Sequence, residues 1–412
     1  MKKIYEGIKK DSLYRNSSYL IASNVVMATF GFIFWVAATK VFTTSEIGLA
    51  STLISGAELV MTFALLGLNS SLVRYLPTSQ QKDDKINTVF TVTTFTSIFF
   101  SIIFIIVSKN IFKELQVLYG SFSVLIVFII FVLFLTLAES IKGIFRSFRR
   151  SEFVLIKNII FCIFKVILIF VFINFGTFGI FSSWLLALII SSLVGFIILI
   201  RKFGYKLYPT IKAAVMKKMI SFSFANYVSG FLERSPKSVI PLIITIFLGP
   251  EKTAYFYIDM SIASFLFMLT EAIGSSFYAE SSNNEEEITL NTKKSLKAFV
   301  AVLLPSILII IFFGNFILLF FGKEYSDEGS LLLKLLALST VFIAFNSLYS
   351  NTIRVKFRMK RLILVNFIGA STILGLSYLF IHNSIVGIGW AWLLGNAVMS
   401  ATYLTATLIY KS

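Results

Sequence analysis

Twelve stretches of the chain are almost unbroken apolar runs: roughly 17–41, 47–68, 89–107, 118–139, 153–174, 178–200, 219–248, 253–279, 297–321, 331–353, 361–381 and 386–410. A hydrocarbon core about 30 Å thick takes about 20 helical residues to cross, and only a helix satisfies its own backbone there. The pattern predicts an all-α integral membrane protein with twelve transmembrane helices. The first run is too long for a signal-peptide core and leads directly into a second span, so it is expected to be retained.

Short polar echoes recur about half a chain apart. Glu46 after Thr43-Thr44-Ser45 is echoed by Glu251 after Leu248-Gly249-Pro250, Asn69-Ser70-Ser71 by Gly274-Ser275-Ser276, and Asn24 by Asn226. With an even number of spans, such repeats run parallel and predict two six-helix lobes. The expected boundaries are 1–200 for the N-terminal lobe, 201–218 for a basic linker containing Gly204 and Pro209, and 219–412 for the C-terminal lobe. Residues 282–292, with Glu285-Glu286-Glu287, read as a solvated loop.

One run departs from the rest. The stretch from Ser221 to Leu248 is long enough to span, yet carries Glu233, Arg234 and Lys237. Each ionised residue at a helix centre costs about 2.5–3.5 kcal/mol, against about 0.3–0.6 returned per large aliphatic or Phe, so the helix must turn its charges to neighbours or to water. At helical spacing Asn226, Glu233 and Lys237 share a face, with Arg234 on its flank. Glu233 and Lys237 form a favourable i,i+4 pair, which leaves Arg234 as the net charge, and Gly230, Pro236 and Pro241 allow a bend. A substrate-binding or gating face is one reading; an ion pair that only fixes helix packing is the other.

Further polar groups interrupt the remaining spans. Ser17, Asn24, Gly31 and Trp35 share a face of the first, and Ser51, Glu58 and Thr62 a face of the second, which Arg74 closes. Lys157 is placed to snorkel to headgroups. Lys165 is too deep for that and is a cavity candidate. Glu58, Asp259 and Glu271 are candidates for coupling a proton or sodium ion. Neutral stripes such as Ser339 with Asn346, and Asn396, Ser400 and Tyr403, are best read as interhelical hydrogen bonds.

Composition narrows the class. With 57% hydrophobic and 14% charged residues the chain has no soluble-enzyme profile. The net charge of +17 does not imply nucleic acid, because the bulk of the 37 Lys and Arg residues fall in alternate loops and tails. That alternation satisfies the positive-inside rule with both termini cytoplasmic, and makes membrane lipids the first partners of the basic patches. One Cys (Cys162) and one His (His382) leave no intrachain disulfide, no zinc site and no Cys/His nucleophile; no cofactor is expected.

Residues 30–77, FGFIFWVAATKVFTTSEIGLASTLISGAELVMTFALLGLNSSLVRYLP, resemble the opening of the polysaccharide exporter or oligosaccharide flippase family, within the multidrug/oligosaccharidyl-lipid/polysaccharide exporter superfamily. The features that carry the resemblance are Phe34-Trp35-Val36-Ala37-Ala38, Ser45-Glu46-Ile47-Gly48 and Gly67-Leu68 through Arg74-Tyr75-Leu76-Pro77. The resemblance implies a cell-membrane (inner-membrane) transporter that works by alternating inward and outward access and turns a polyprenyl-diphosphate-linked oligosaccharide to the outer leaflet, alongside polysaccharide polymerase and glycosyltransferases. An anionic headgroup of that kind suits Arg234, Lys237 and Lys165. The alternatives are a multidrug/cation antiporter of the same superfamily, and a polymerase or lipid-sugar glycosyltransferase, for which the loops are short and poor in acid/base clusters.

Overall fold

The computed structural model describes residues 12–111, 122–283, 287–356 and 358–408. Among them are twelve long α-helices and one short one. They are α1 (Ser12–Val41), α2 (Thr44–Ala64), the short α3 (Leu68–Tyr75), α4 (Lys82–Ile111), α5 (Phe122–Ser147), α6 (Ser151–Val171), α7 (Thr177–Phe203), α8 (Ala213–Leu248), α9 (Pro250–Asn283), α10 (Ile288–Leu319), α11 (Lys323–Val355), α12 (Met359–Phe380) and α13 (Ser384–Leu408). Every long helix except α8 lies in a stretch long and apolar enough to cross a membrane. The exception is the helix that carries Glu233, Arg234 and Lys237. The apolar face of α4 shows where lipid goes: Phe95, Phe99, Ile102 and Ile106, at helical spacing, are all exposed.

Local chemistry sets the helix limits. Thr43 and Glu46 form a capping box at the start of α2: the Thr43 N–H donates to the Glu46 carboxylate at 2.8 Å, and the Glu46 N–H to the Thr43 hydroxyl at 3.3 Å. The left-handed residues Leu66 and Gly67 break the chain after α2 and redirect it into α3, which buries Leu68, Ser71 and Leu72. Gly204, also left-handed, ends α7 in an αL cap, with its N–H on Ile200 O and that of Tyr205 on Leu199 O.

The expected loop at 201–218 is therefore shorter. Helix α7 continues to Phe203 and α8 begins at Ala213, so only 204–212 is irregular. That segment is pinned along α4: Asn87 donates to Lys206 O at 2.9 Å and accepts from Tyr205, while Tyr208 donates to Asp84 at 2.6 Å. Burial, reinforced by Asp83, pushes the Tyr205 phenol upward, and the hydrogen bond to Asp84 does the same for Tyr208. The expected loop at 282–292 shrinks likewise, because α9 runs through Asn283 and α10 begins at Ile288. Glu285 and Glu286, and the basic residues preceding Ser12, lie outside the described residues.

The described residues form two compact units, one within 1–42 and 53–227 and the other within 43–52 and 228–412. In the first, α1 packs on α6, α6 on α7, and α5 on α4 and α7. The core between α3, α4, α5 and α7 is built from Leu68, Leu72, Val89, Phe90, Ile141, Phe145 and Leu199. Contacts between α1 and α6 keep one register 135 residues apart: Ser151 N–H on Asn16 at 3.0 Å, Asn158 on Ser23 at 2.8 Å, and Cys162 on Met27 at 3.5 Å. A constant offset means parallel helices. In the second unit α9 packs on α10 and α11, and α13 on α11 and α12. There Asn366 of α12 donates to the Ser229 hydroxyl of α8 at 2.9 Å, 137 residues away. An Asn-to-Ser bond between helices thus recurs in the two units at positions half a chain apart.

Candidate functional site

Within the second unit the C-terminal parts of α9 and α11, with α8, α12 and α13, enclose a cavity of about 370 Å³, within the range of ligand sites. Helix α8 contributes Glu233, Pro236 and Lys237 to its wall. The turn is shaped by Pro236, which cannot donate to the Leu232 carbonyl; the Ser235 hydroxyl takes that acceptor instead at 3.3 Å. Helix α9 contributes Phe267, Glu271, Ser275 and Tyr278, spaced as one helical face.

The charges in this wall balance. The Glu233 carboxylate accepts from Arg354 of α11 at 3.3 Å, so this ion pair joins it to another helix and not to Lys237 at the i,i+4 position. Both ends of this pair are substantially exposed, so it contributes little to stability, about 0–1 kcal/mol. The Lys237 ammonium stands 5.1 Å above the Phe267 ring. Glu271 is exposed and makes no ion pair among the described residues. Two carboxylates and two cations therefore line this space, together with amides and hydroxyls of the surrounding helices.

The amides around it are committed to packing. Asn346 donates to Asn396 O at 3.2 Å and accepts from Ser400 at 2.8 Å, Asn396 donates to Trp392 O at 2.8 Å, and Tyr403 donates to Asn366 at 3.3 Å. Asn351 donates to Gly274 O at 3.0 Å. These bonds join α9, α11, α12 and α13, as the neutral stripes lead one to expect.

The other residues singled out from sequence are dispersed. Arg234 is exposed, has no ion pair among the described residues, and is not part of the cavity wall. Asn226 and Asn24 are exposed; on α1 it is the neighbouring Ser23 that makes the interhelical bond. Arg74 is exposed at the end of α3, 5.9 Å from the Tyr75 ring, and Glu58 is half-buried on α2. Lys165 is buried in an aromatic box, 4.4 Å from Trp184, 4.6 Å from Phe34 and 5.3 Å from Phe161. Lys157 does not snorkel: it is 4% exposed, its stem lying against Gly195 of α7. Asp259 is fully buried near the start of α9. Arg354 escaped the sequence reading because it closes a span and reads as a topology signal.

A family profile described as "Polysaccharide biosynthesis protein" matches residues 13–235, more than half of the chain. The chain belongs to that family. No curated protein sequence is significantly similar to this family member. Its fold is that of the lipid II flippase MurJ in an inward closed conformation, with a TM-score of 0.78 and 16% identity over 94% of this chain and 87% of that one. An inward-facing multidrug resistance MATE transporter of the MOP superfamily is similar at a TM-score of 0.72 and 13% identity, over 95% and 97% of the two chains. MATE in complex with MaL6 is similar at 0.68 and 14%, over 96% and 95%. This family member is thus a multi-pass membrane protein with the fold of those transporters.

Proposed function

We propose that this protein flips a polyprenyl-diphosphate-linked oligosaccharide from the cytoplasmic to the outer leaflet of the cell membrane for surface-polysaccharide synthesis, with both termini cytoplasmic. The observation that carries the reading is a charged cavity inside a membrane-helix unit of a polysaccharide biosynthesis family member; charges in membrane segments mark transport pathways. Lys237 and Arg354 are the cations that meet the headgroup, and Arg354 has the planar fork suited to phosphate. An inside-negative membrane favours outward movement of that anion by about 2.3 kcal/mol per charge per 100 mV. The polymerase and glycosyltransferases of the same pathway are the proposed partners.

The test is reconstitution. Purified protein in liposomes should expose a lipid-linked oligosaccharide on the opposite leaflet without changing its mass; new glycosidic bonds would point to an enzyme. Glu271 supports a second reading, a cation antiporter, since an acid in a cavity also suits a cationic cargo. Exchange of an organic cation for protons or sodium, with no lipid movement, would decide for it.

The orientation has its own check. Single cysteines at the exposed positions Asn110 and Asn383 should react with an impermeant reagent from outside, and those at the exposed Gln81 and Arg149 should not. Reaction at Gln81 from outside would reverse the topology.

A further inference from the structure

Asp259 of α9 is wholly buried, and neither of its carboxylate oxygens has a hydrogen-bond partner. Both press against Gly329 of α11: a Cβ placed on that glycine would come within 2.6 and 2.7 Å of them. One turn before Asp259 on α9 is Tyr255, and one turn before Gly329 on α11 is Tyr325. The two rings meet edge to face at 5.1 Å. The charged groups at this end of the helices are engaged elsewhere or exposed. Glu324 accepts from Thr44 at 3.2 Å and from Tyr255 at 3.5 Å, Lys252 pairs with Glu328 at 2.6 Å, and Asp327 is exposed. Glu46, in the segment 43–52, is occupied by Thr43. Of the other helices that pack on α9, α13 carries no charged residue, and the charges of α10, Lys293, Lys294 and Lys297, stand in its first turns, which follow the far end of α9.

An ionised carboxylate without donors in such a place costs several kcal/mol. A metal ion could neutralise it, but hard cations gather about six oxygen ligands at about 2.0–2.6 Å, and a contact too tight for a Cβ leaves no volume for an ion and its ligands. A proton needs no volume. We infer that Asp259 is a proton-binding site whose neutral form latches α9 to α11 through Gly329. Losing the proton creates a charge that must reach water, and the α9–α11 contact is the one that opens. Exposed Glu324, bonded to the Tyr255 hydroxyl, marks the end from which the proton enters. The inference is independent of the cargo.

The experiment reads protonation directly in the purified full-length protein, by infrared spectroscopy with isotope-labelled aspartate. At neutral pH the wild-type minus Asp259→Asn difference spectrum should contain the carbonyl band of a protonated acid, which fades as pH is raised. Hydrogen exchange in the first turns of α9 and α11, corrected for its intrinsic pH dependence, should rise about tenfold over the same range in wild type and stay flat in Asp259→Asn. A difference spectrum holding only carboxylate bands overturns the proposal, and equal pH dependence of exchange in the two proteins overturns the latch. If the variant does not accumulate, the labelled wild-type spectrum at low and high pH decides by the same criterion.

Discussion

Gly48→Ala is expected to remove most of the folded protein from the membrane. A Cβ at this position in α2 would lie 1.7 Å from the carbonyl oxygen of Pro250 and 2.4 Å from its carbonyl carbon, both backbone atoms at the start of α9. A flexible side chain could move aside, but this backbone is anchored on each side. Gly249 sits at φ 88 just before it. Beyond it the hydroxyls of Thr52, Thr245 and Thr253 join α2, α8 and α9 at 2.5 and 2.8 Å. Ordinary overpacking costs about 1–3 kcal/mol; an overlap with fixed backbone exceeds that and consumes much of a stability of about 5–15 kcal/mol. Gly31→Ala is the control. It adds a methyl where nothing lies within 4 Å, and helix propensity should make it stabilising by up to about 1 kcal/mol. Membrane abundance and the size-exclusion profile check both. Wild-type levels of Gly48→Ala would mean that α2 and α9 do not approach as described.

The second large effect is on transport. Lys237→Ala should lower export by about 10–100-fold at unchanged membrane abundance, because the ammonium is exposed in the cavity and its ring contact is worth only about 0.5–1 kcal/mol. Lys237→Arg should retain part of the activity, since the charge survives. The helix-phase argument favours Arg234 as the critical charge, but the cavity wall contains Glu233 and Lys237 and omits Arg234. Arg234→Ala should accordingly export close to the wild-type rate. Under the antiporter reading the order changes, and Glu271→Gln becomes the most damaging substitution. Cell-surface polysaccharide, measured beside membrane abundance, separates these outcomes. Full export by Lys237→Ala would sink the assignment of the cavity to the anionic headgroup.

The helices themselves were legible because a membrane makes a strong demand on each of them separately. Apolar length located all twelve, but their ends moved: α7 runs on past residue 200 to Phe203 and α9 begins at Pro250, ahead of residue 253. What crosses between helices was far less legible. Asn24 and Asn226 looked like corresponding positions, yet the bonds that recur use Ser23 with Asn158 and Ser229 with Asn366. Serine is common in these spans, and only the register of parallel helices selects the ones that matter. Arg354 is 121 residues from Glu233, so no local period connects them. Lys157 misled for a different reason: its position near a helix start predicts escape to the headgroups, but small Gly195 leaves room for its stem inside. The burial of Asp259 against Gly329 likewise follows from which helix lies opposite.

The aromatic box around Lys165 has an optical consequence. An ammonium 4.4 Å from the indole of Trp184 perturbs the electrons that absorb and emit light, and Trp35 lies 6.3 Å from the same ring. Any rearrangement of α1, α6 or α7 that lifts the lysine away changes that local field. The first unit therefore carries a built-in spectroscopic reporter, readable by tryptophan emission without any attached dye.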